Sequence, residues 1–287
     1  MSGATTEQEI AQAAKQLGIG GQALCVHASL RSFPKLERGP KTLIDGLLST
    51  GATVMVATMS GQWFGVPPPR DDRPARNAID YVATDEQATS IPWRGLTEIF
   101  DPSRVEVDGW LGTTSAYVAS RPDRVRSPLS GTFSAVGPLA SELVSAETEA
   151  DVFGPLRALR DADGWVVLVG VGLTTMTLLH LAEVEAGRQP FIRWMRAPDG
   201  TPMRVRVGEC SSGFERLAPA LASEERRALV GASRWRAYPA RAALALAAEA
   251  IRCDPWITRC DDPDCRECPD AIAGGPIEQQ STLPDVV

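Results

Sequence analysis

The sequence contains no long hydrophobic run. None of its apolar stretches approaches the ~20 residues that a membrane-spanning helix needs. The first segment, MSGATTEQEIAQAAKQLG, is polar and lacks the apolar centre of a signal peptide. We therefore expect no membrane partner and a location in the cytoplasm.

The sequence also lacks an excess of basic residues. Its 29 Lys and Arg are outnumbered by 36 Asp and Glu, which gives a formal net charge of −7. Domains that bind nucleic acid are usually basic, so we expect no nucleic-acid partner. An acidic surface would attract cationic ligands, although a charge of this size also serves ordinary solubility. With 44% apolar residues, a chain of 287 residues can bury a substantial core.

Alternating strand and helix patterns predict an α/β fold. Thr6 and Glu9 have the spacing of a capping box, so a first helix is expected to run to about Gln16. The clearest strand signal is the apolar run WVVLVG, which is typical of a central strand. Strands are predicted at residues 23–27, 52–59 and 165–170, and helices at residues 41–48, 174–185, 213–223 and 240–252.

This alternation predicts a three-layer α/β/α single domain with a mixed central sheet. We assign residues 1–252 to the domain and residues 253–287 to a cysteine-containing C-terminal segment packed on it. Residues 60–102 are rich in Pro, Arg and aromatic side chains, and a long loop without regular structure is usually functional. We predict that this loop faces a substrate, with Trp63 and Asp80 among its contacts. A surface loop without a function is the alternative.

Histidine is scarce, and both histidines lie in segments that suggest a site. His27 ends the first predicted strand, and His180 stands in LLHLAE with Glu183 one helical turn later. A carboxylate beside an imidazole can orient it and raise its basicity, as a general base requires. Alternatively, both histidines are hydrogen-bonded structural groups.

Seven segments, in order, resemble the antibiotic N-acetyltransferase family, whose best-known members are aminoglycoside 3-N-acetyltransferases. The resemblance implies a fold other than the common GNAT acetyltransferase fold. It implies acetyl-CoA as cosubstrate, a cationic aminoglycoside-type antibiotic as partner, and acetylation of one of its amines. The segments, which run from about residue 24 to 217, are VHASLRSF, ATVMVATMS, FDPS, RPDRVRSPLSGTFSAVG, FGPLRAL, VLVGVGLTTMTLLHLAE and GECSSGF.

The resemblance also implies which residues hold the coenzyme. The family's first motif wraps the pyrophosphate and pantetheine of CoA, and turn N–H groups, hydroxyls and Arg suit phosphate oxygens. The fourth motif reads RSPLSGTFSAVG here and lacks the family's histidine, the usual candidate for the catalytic base. The implied coenzyme contacts are Ser29, Leu30, Arg31, Ser32 and Gly39 from the first motif and Ser130 and Thr132 from the fourth.

The sixth motif suggests an altered acceptor site. Leu173, Thr174 and Met176 replace the family's His, Asp and Asn, so polar contacts for a polycation have been lost. The kasugamycin-acetylating enzymes are one branch with which this pattern is consistent. We expect Glu183 to deprotonate the amine, alone or with a histidine, and His27 and His180 are the other candidate bases. The expected acceptor contacts are Thr58, Trp63, Asp80, Thr177 and Glu183.

Four of the six cysteines lie close together near the C-terminus. Cys253, Cys260, Cys265 and Cys268 could supply four thiolates to a structural zinc ion. In a reducing compartment, a metal site or free thiols are more expected than disulfides. Cys25 and Cys210 stand among apolar or small residues, and we predict buried structural thiols with no catalytic role.

Two other functions remain open at this stage. One is a non-catalytic CoA- or antibiotic-binding protein derived from the same family, which the missing histidine favours. The other is a zinc-stabilised interaction module, which rests only on the cysteine segment. A homodimer is compatible with the sequence.

Overall fold

The computed structural model describes residues 3–87, 93–148, 151–197, 199–208 and 210–277. The strands in this part of the chain form a mixed sheet of seven and a separate hairpin of two. In chain order they are β1 (Ala23–Ala28), β2 (Thr53–Ala57), β3 (Val125–Arg126), β4 (Phe133–Val136), β5 (Trp165–Val169), β6 (Phe191–Arg196), β7 (Pro202–Val207), β8 (Arg226–Val230) and β9 (Ser233–Pro239).

The first helix begins where the sequence predicts. Thr6 Oγ1 accepts a hydrogen bond from the Glu9 N–H, and the Glu9 carboxylate accepts one from the Thr6 N–H. This capping box satisfies N–H groups that a helix start leaves unpaired. The helices are α1 (Glu7–Gln16), α2 (Pro40–Leu48), α3 (Gly61–Phe64), α4 (Tyr81–Glu86), α5 (Gly112–Ser120), α6 (Ala140–Val144), α7 (Gly154–Asp161), α8 (Leu178–Glu185), α9 (Ala218–Leu221), α10 (Ala240–Cys253) and α11 (Glu267–Ile272).

The large sheet has the order β3-β4-β2-β1-β5-β9-β8. Strand β1 pairs in parallel with β2 on one side and β5 on the other, and the remaining pairs are antiparallel. Helices α1, α2 and α5 cover one face, and helices α6 to α10 cover the other. The predicted three-layer α/β/α fold with a mixed sheet is therefore confirmed.

The connections that follow the neighbouring parallel strands β1 and β5 leave the sheet on opposite faces, and open α/β sheets form a crevice at such a point. Helix α2 follows β1 and lies on one face of the sheet, whereas α8 follows β5 and lies on the opposite face. The loops that follow β1 and β5 therefore diverge at the carboxyl ends of the strands. Open α/β sheets bind ligands at such a switch point.

The structure corrects part of the secondary-structure prediction. The 60–102 segment is not a structureless loop, because it contains α3, α4 and a 3-10 turn at Arg94–Leu96. It also packs on the β6–β7 hairpin, where the Asn77 side chain donates to the Ile192 carbonyl and accepts from the Ile192 N–H. Strands β6 to β9 were missed because charged residues interrupt their apolar patterns.

The C-terminal segment contacts two other parts of the chain. The Asp270 carboxylate accepts a hydrogen bond from the Ala78 N–H at 2.7 Å, and the Arg76 guanidinium donates to the Gly275 carbonyl at 2.6 Å. The Gln189 N–H donates to the Gly274 carbonyl. Within the described residues, none of the helices is long and apolar enough to cross a bilayer.

Candidate functional site

A tight turn follows β1 at the crevice. The Ser29 N–H donates to the Val169 carbonyl at 2.9 Å, which extends the pairing of β1 with β5. A 3-10 turn, Leu30–Ser32, comes next. Ser32 Oγ donates to the Ser29 carbonyl at 2.7 Å and lies 2.7 Å from Ser233 Oγ on β9. These bonds hold the turn against the end of the sheet.

Glycine at position 170 allows this turn to approach β5. Its φ is +64°, and a Cβ at this position would lie 2.1 Å from the Ser32 Cβ. Arg31 extends from the turn and is exposed, and no carboxylate in the part of the chain that the structure describes pairs with it. Gly39, another predicted coenzyme residue, immediately precedes α2 with a φ of +56°. The turn therefore offers an unpaired cation beside the crevice.

Buried hydrogen bonds hold residues 126–134 in place beside the end of β2. Thr58, after β2, is fully buried, and its Oγ1 donates to the Gly131 carbonyl at 2.8 Å. The Arg126 guanidinium donates to the Thr58 and Glu106 carbonyls. Burial lowers the pKa of Arg126 to about 10. The Thr58 side chain thus holds this segment in place, and its burial leaves it no surface for contact with the molecule that accepts the acetyl group.

Glu147 is a site residue that the sequence analysis missed. Its buried carboxylate accepts hydrogen bonds from the Leu129 N–H at 2.8 Å and the Ser130 N–H at 3.1 Å. Ser130 Oγ also donates to it at 2.5 Å and hydrogen-bonds to Thr132 Oγ1. The contact joins two loops and has no short-range sequence pattern. The Glu147 carboxylate thereby occupies the N–H groups of Leu129 and Ser130, which belong to the fourth motif, where the family's histidine is missing.

His27 is the penultimate residue of β1 and lies on the face that carries α8. Its Nε2 lies 3.6 Å from Cys25 Sγ, two residues back on the same side of the strand. Burial lowers the pKa of His27 to about 4 and raises the pKa of the Cys25 thiol to about 12. Both groups are therefore neutral at pH 7, and Cys25 is the buried thiol that the sequence predicts.

His180 and Glu183 meet on α8, as the i, i+3 spacing predicts. His180 Nδ1 lies 3.0 Å from Glu183 Oε2. The other carboxylate oxygen accepts a hydrogen bond from Arg188, which the sequence analysis did not consider. All three side chains are at most 13% exposed. Glu183 is thus one member of an ion pair in a poorly solvated position.

Two neighbours hold the His180 ring in place. The Phe214 ring lies 4.9 Å from it, centroid to centroid. A Cβ at Gly208 would lie 2.2 Å from His180 Cγ, so only glycine permits the backbone after β7 to pass this close. A small cavity of about 30 Å³ adjoins His180, Glu183 and Cys268. It has room for one or two water molecules.

Three residues that were predicted to contact the acetyl acceptor are buried or already have partners inside the protein, namely Trp63, Asp80 and Thr177. The Trp63 indole N–H donates to the Val107 carbonyl, and the Arg94 guanidinium lies 4.2 Å from its ring centroid. The Asp80 carboxylate caps α4 by accepting from the Ala83 N–H. It also pairs with Arg266, and both contacts hold its pKa below the usual range. Thr177 precedes α8 and is 6% exposed.

The 60–102 segment and the β6–β7 hairpin enclose a surface cleft of about 490 Å³. Arg70, Arg73 and Arg196 line it, together with Asp85, which pairs with Arg70 and Arg73. Its positive lining does not suit a polycation. The charge of this cleft therefore gives no support to the expectation that the segment contacts a cationic substrate.

The structure changes the membership of the cysteine cluster. The Sγ atoms of Cys260, Cys265 and Cys268 converge with that of Cys210, and all four lie within 4.8 Å of one another. Cys253 does not belong to the cluster. It is the exposed last residue of α10, and its thiol hydrogen-bonds to Glu249. Cys210 belongs to the cluster because the chain after β7 places it beside the C-terminal segment. Sequence spacing does not reveal this tertiary contact.

The fold is that of a three-layer α/β protein with a switch point at the carboxyl ends of β1 and β5, where open α/β sheets bind ligands. Comparison with known proteins then gives the family. A family model described as aminoglycoside 3-N-acetyltransferase matches residues 25–252, and the chain belongs to this family. The resemblance noted in the sequence is thereby confirmed.

Among curated relatives, aminoglycoside N(3)-acetyltransferase VIII of Streptomyces fradiae is 30% identical over 64% of this chain and 62% of its own length. Aminoglycoside N(3)-acetyltransferase IV of Salmonella sp. is 31% identical over 65% of this chain and 58% of its own length. The chain thus spans about six tenths of the length of these relatives.

A solved structure gives a more extensive match. Aminoglycoside acetyltransferase AAC(3)-IVa, as the apoenzyme, superimposes with a TM-score of 0.73 at 26% identity. The match covers 96% of this chain and 99% of that one. AAC-IIIb in a binary complex with CoASH shares the fold, with a TM-score of 0.67 at 23% identity over 87% of this chain and 97% of that one.

Proposed function

We propose that this protein transfers the acetyl group of acetyl-CoA to an amine of an aminoglycoside-type antibiotic. The observation that carries the proposal is the family match over residues 25–252, which includes the β1 turn and α8. Related proteins are named for the same activity. Solved relatives include a histidine-to-alanine variant of AAC(3)-IVa with a gentamicin and AAC-IIIb with CoASH.

The β1 turn is the expected coenzyme site. Ser29, Leu30 and Ser32 form a rigid turn, and Arg31 presents a guanidinium with five N–H donors. A guanidinium binds phosphate oxygens in a bidentate manner, so Arg31 suits the pyrophosphate of CoA. Gly39 keeps the start of α2 clear, since nothing lies within 4 Å of its absent side chain.

The proton is best accepted by His180, with Glu183 as its positioning residue. An ionised carboxylate only accepts hydrogen bonds, so the His180 nitrogen facing Glu183 must be the protonated one. The other nitrogen, Nε2, then keeps its lone pair. The sequence favours Glu183 itself, but both of its carboxylate oxygens already have partners, one in His180 and the other in Arg188. His27, with a pKa of about 4, is a weaker proton acceptor at pH 7.

In the proposed reaction, the neutral amine of the antibiotic, which has already released its ammonium proton to water, attacks the thioester carbonyl carbon. His180 takes up the proton that the attacking nitrogen loses as the amide forms. The carbon–sulfur bond breaks, CoA leaves as a thiolate, and the proton on His180 passes to that thiolate. No covalent bond to the protein forms, in agreement with the buried and protonated Cys25 thiol. The acidic net charge of −7 favours the approach of a polycation.

One observation favours a non-catalytic binding protein as the second candidate. Residues 126–137 lack the family's histidine, and Glu147 occupies the N–H groups of Leu129 and Ser130. These two N–H groups therefore cannot stabilise an oxyanion of the reaction.

A turnover assay separates the two candidates. The purified full chain is incubated with acetyl-CoA and, in turn, gentamicin, apramycin, sisomicin and kasugamycin, and release of the CoA thiol is measured against a blank for the protein's own cysteines. Spermidine serves as a polyamine control without an aminoglycoside ring. We expect thiol release with at least one antibiotic and none with spermidine. Calorimetric binding of acetyl-CoA and antibiotic without thiol release would support the non-catalytic candidate.

A further inference from the structure

We propose that Cys210, Cys260, Cys265 and Cys268 bind one structural zinc ion that fastens the C-terminal segment to the loop after β7. Cys210 lies 50 residues or more before the other three cysteines in the sequence. Their Sγ atoms nevertheless all lie within 4.8 Å of one another. The argument for zinc does not rest on the proposed acetyl transfer.

The distances suit four-thiolate coordination. A tetrahedral zinc ion with Zn–S bonds of ~2.3 Å separates its sulfurs by roughly 3.8 Å, so the present spacing needs a contraction of about 1 Å or less. Cys265 and Cys268 have Cys-x2-Cys spacing, which lets two thiolates of one turn reach the same ion. With four protein ligands the site would be closed, which is the arrangement of structural rather than catalytic zinc.

Backbone donors around the cluster also point at the sulfurs. The Cys260 N–H donates to Cys268 Sγ at 3.3 Å, and the Cys268 N–H donates to Cys265 Sγ at 3.5 Å. Such N–H groups stabilise the negative charge that thiolates carry in a metal site, and they orient the ligands as outer-shell partners do. Cys260 and Cys268 are each 6% exposed, so bulk water does not solvate them.

The two chain segments are packed together beside the cluster. A Cβ at Gly213 would lie 2.2 Å from the Thr258 carbonyl oxygen and 2.5 Å from the Arg259 carbonyl oxygen. Only glycine permits this approach of the loop after β7 to the residues that lead into Cys260. Arg216 donates to the Arg259 carbonyl and adds a second tie. These contacts hold the loop after β7, which carries Cys210, against the segment that carries Cys260, Cys265 and Cys268.

A zinc ion here would also stabilise the surroundings of His180 and Glu183. Cys210 follows Gly208, whose backbone lies against the His180 ring. Arg188, the partner of Glu183, donates to Thr258 Oγ1 at 2.7 Å in the C-terminal segment. Cys210 and Cys268 line the same cavity as His180 and Glu183. Packing and hydrogen bonds therefore connect the cysteine cluster to α8.

Elemental analysis of the full chain, purified under reducing conditions without added metal, tests the proposal. We expect one zinc per chain in the wild type and in Cys253→Ser, since Cys253 lies outside the cluster. We expect Cys210→Ser to lose zinc. Wild type without zinc, with iron instead, or with disulfides among the four cysteines would overturn the proposal. Equal zinc loss in Cys253→Ser and Cys210→Ser would overturn the assignment of ligands.

A measurement on the wild type alone covers the case in which Cys210→Ser does not fold. Chelation should lower the melting temperature, because binding energy at a structural zinc site is folding energy. Added zinc should restore it. A melting temperature that chelation leaves unchanged, in protein shown to have lost its metal, would contradict the structural role. Zinc content and melting do not depend on acetyl transfer, so these results stand whether or not the proposed function is right.

Discussion

Replacement of Glu183 by glutamine perturbs both a buried ion pair and the proposed proton acceptor. Glutamine keeps the size of the side chain but removes its charge. It leaves the Arg188 guanidinium, which is only 8% exposed, without a counter-charge. It also ends the requirement that the His180 Nδ1 carry a proton, because an amide can either donate or accept.

The structure sets the expected size of both effects. Removing one partner of a buried ion pair lowers the free energy of unfolding by ~3–5 kcal/mol. The loss in Glu183→Gln should lie near the lower end of this range, because the amide oxygen of glutamine still accepts a hydrogen bond from Arg188. At ~2–4 °C per kcal/mol for a large domain, the melting temperature should fall by about 6–12 °C. The loss of an oriented base should lower kcat by ~100-fold or more, with little change in KM for acetyl-CoA.

A matched control lies on the same helix. Glu185 pairs with Arg157 and Arg160, but it is 28% exposed. Glu185→Gln should therefore cost only ~1 kcal/mol or less and leave kcat unchanged.

The assay combines thermal unfolding with steady-state kinetics for Glu183→Gln, His180→Gln and the double variant. If His180 and Glu183 act as a unit, the double variant should be no slower than His180→Gln alone. Additive losses would refute the positioning role. Equal melting temperatures for Glu183→Gln and Glu185→Gln would refute the argument from burial.

Three further variants test other parts of the structure. His27→Gln should flatten the stability profile between pH 4 and 6.5. In wild type the unfolded histidine takes up a proton below pH 6.5 while the folded one, with a pKa of about 4, does not, so stability falls as pH falls. The difference of about 2.5 pH units corresponds to ~3 kcal/mol in urea unfolding, and equal slopes for variant and wild type would contradict it. Arg31→Ala should weaken acetyl-CoA binding in calorimetry by ~10-fold or more without lowering the melting temperature, whereas the exposed control Arg241→Ala should bind normally. Glu147→Gln should cost ~1–3 kcal/mol in urea unfolding, since the charged acceptor of two N–H groups at residues 129–130 is lost, and an unchanged unfolding midpoint would show that these bonds matter little.

Local patterns predicted the elements whose signals lie within a few residues. The capping box at Thr6 and the apolar run of β5 both depend on short-range spacing, and both elements form as expected. The turn after β1 and the His180–Glu183 pair were predicted for the same reason. Strands such as β8, with the sequence RRALV, were missed because such a strand is stabilised mainly by pairing with its neighbour.

Contacts between distant segments could not be predicted in this way. Arg188 donates to Thr258 of the C-terminal segment, 70 residues away, and Glu147 reaches the 129–130 turn across a loop. Cys253 has suitable spacing for the cysteine cluster, but the end of α10 directs it to solvent. Cys210 takes its place by tertiary packing. The missing histidine of the fourth motif likewise identified a difference from the family without indicating which group replaces it.

Product analysis tests the central claim most directly. The full chain is incubated with isotopically labelled acetyl-CoA and an aminoglycoside, and the antibiotic is examined by mass spectrometry and NMR. The account predicts one labelled acetyl group per antibiotic molecule, attached through an amide to an amine, at a rate proportional to the protein concentration and nearly abolished in His180→Gln. An antibiotic recovered unlabelled after both ligands have been shown to bind would contradict it.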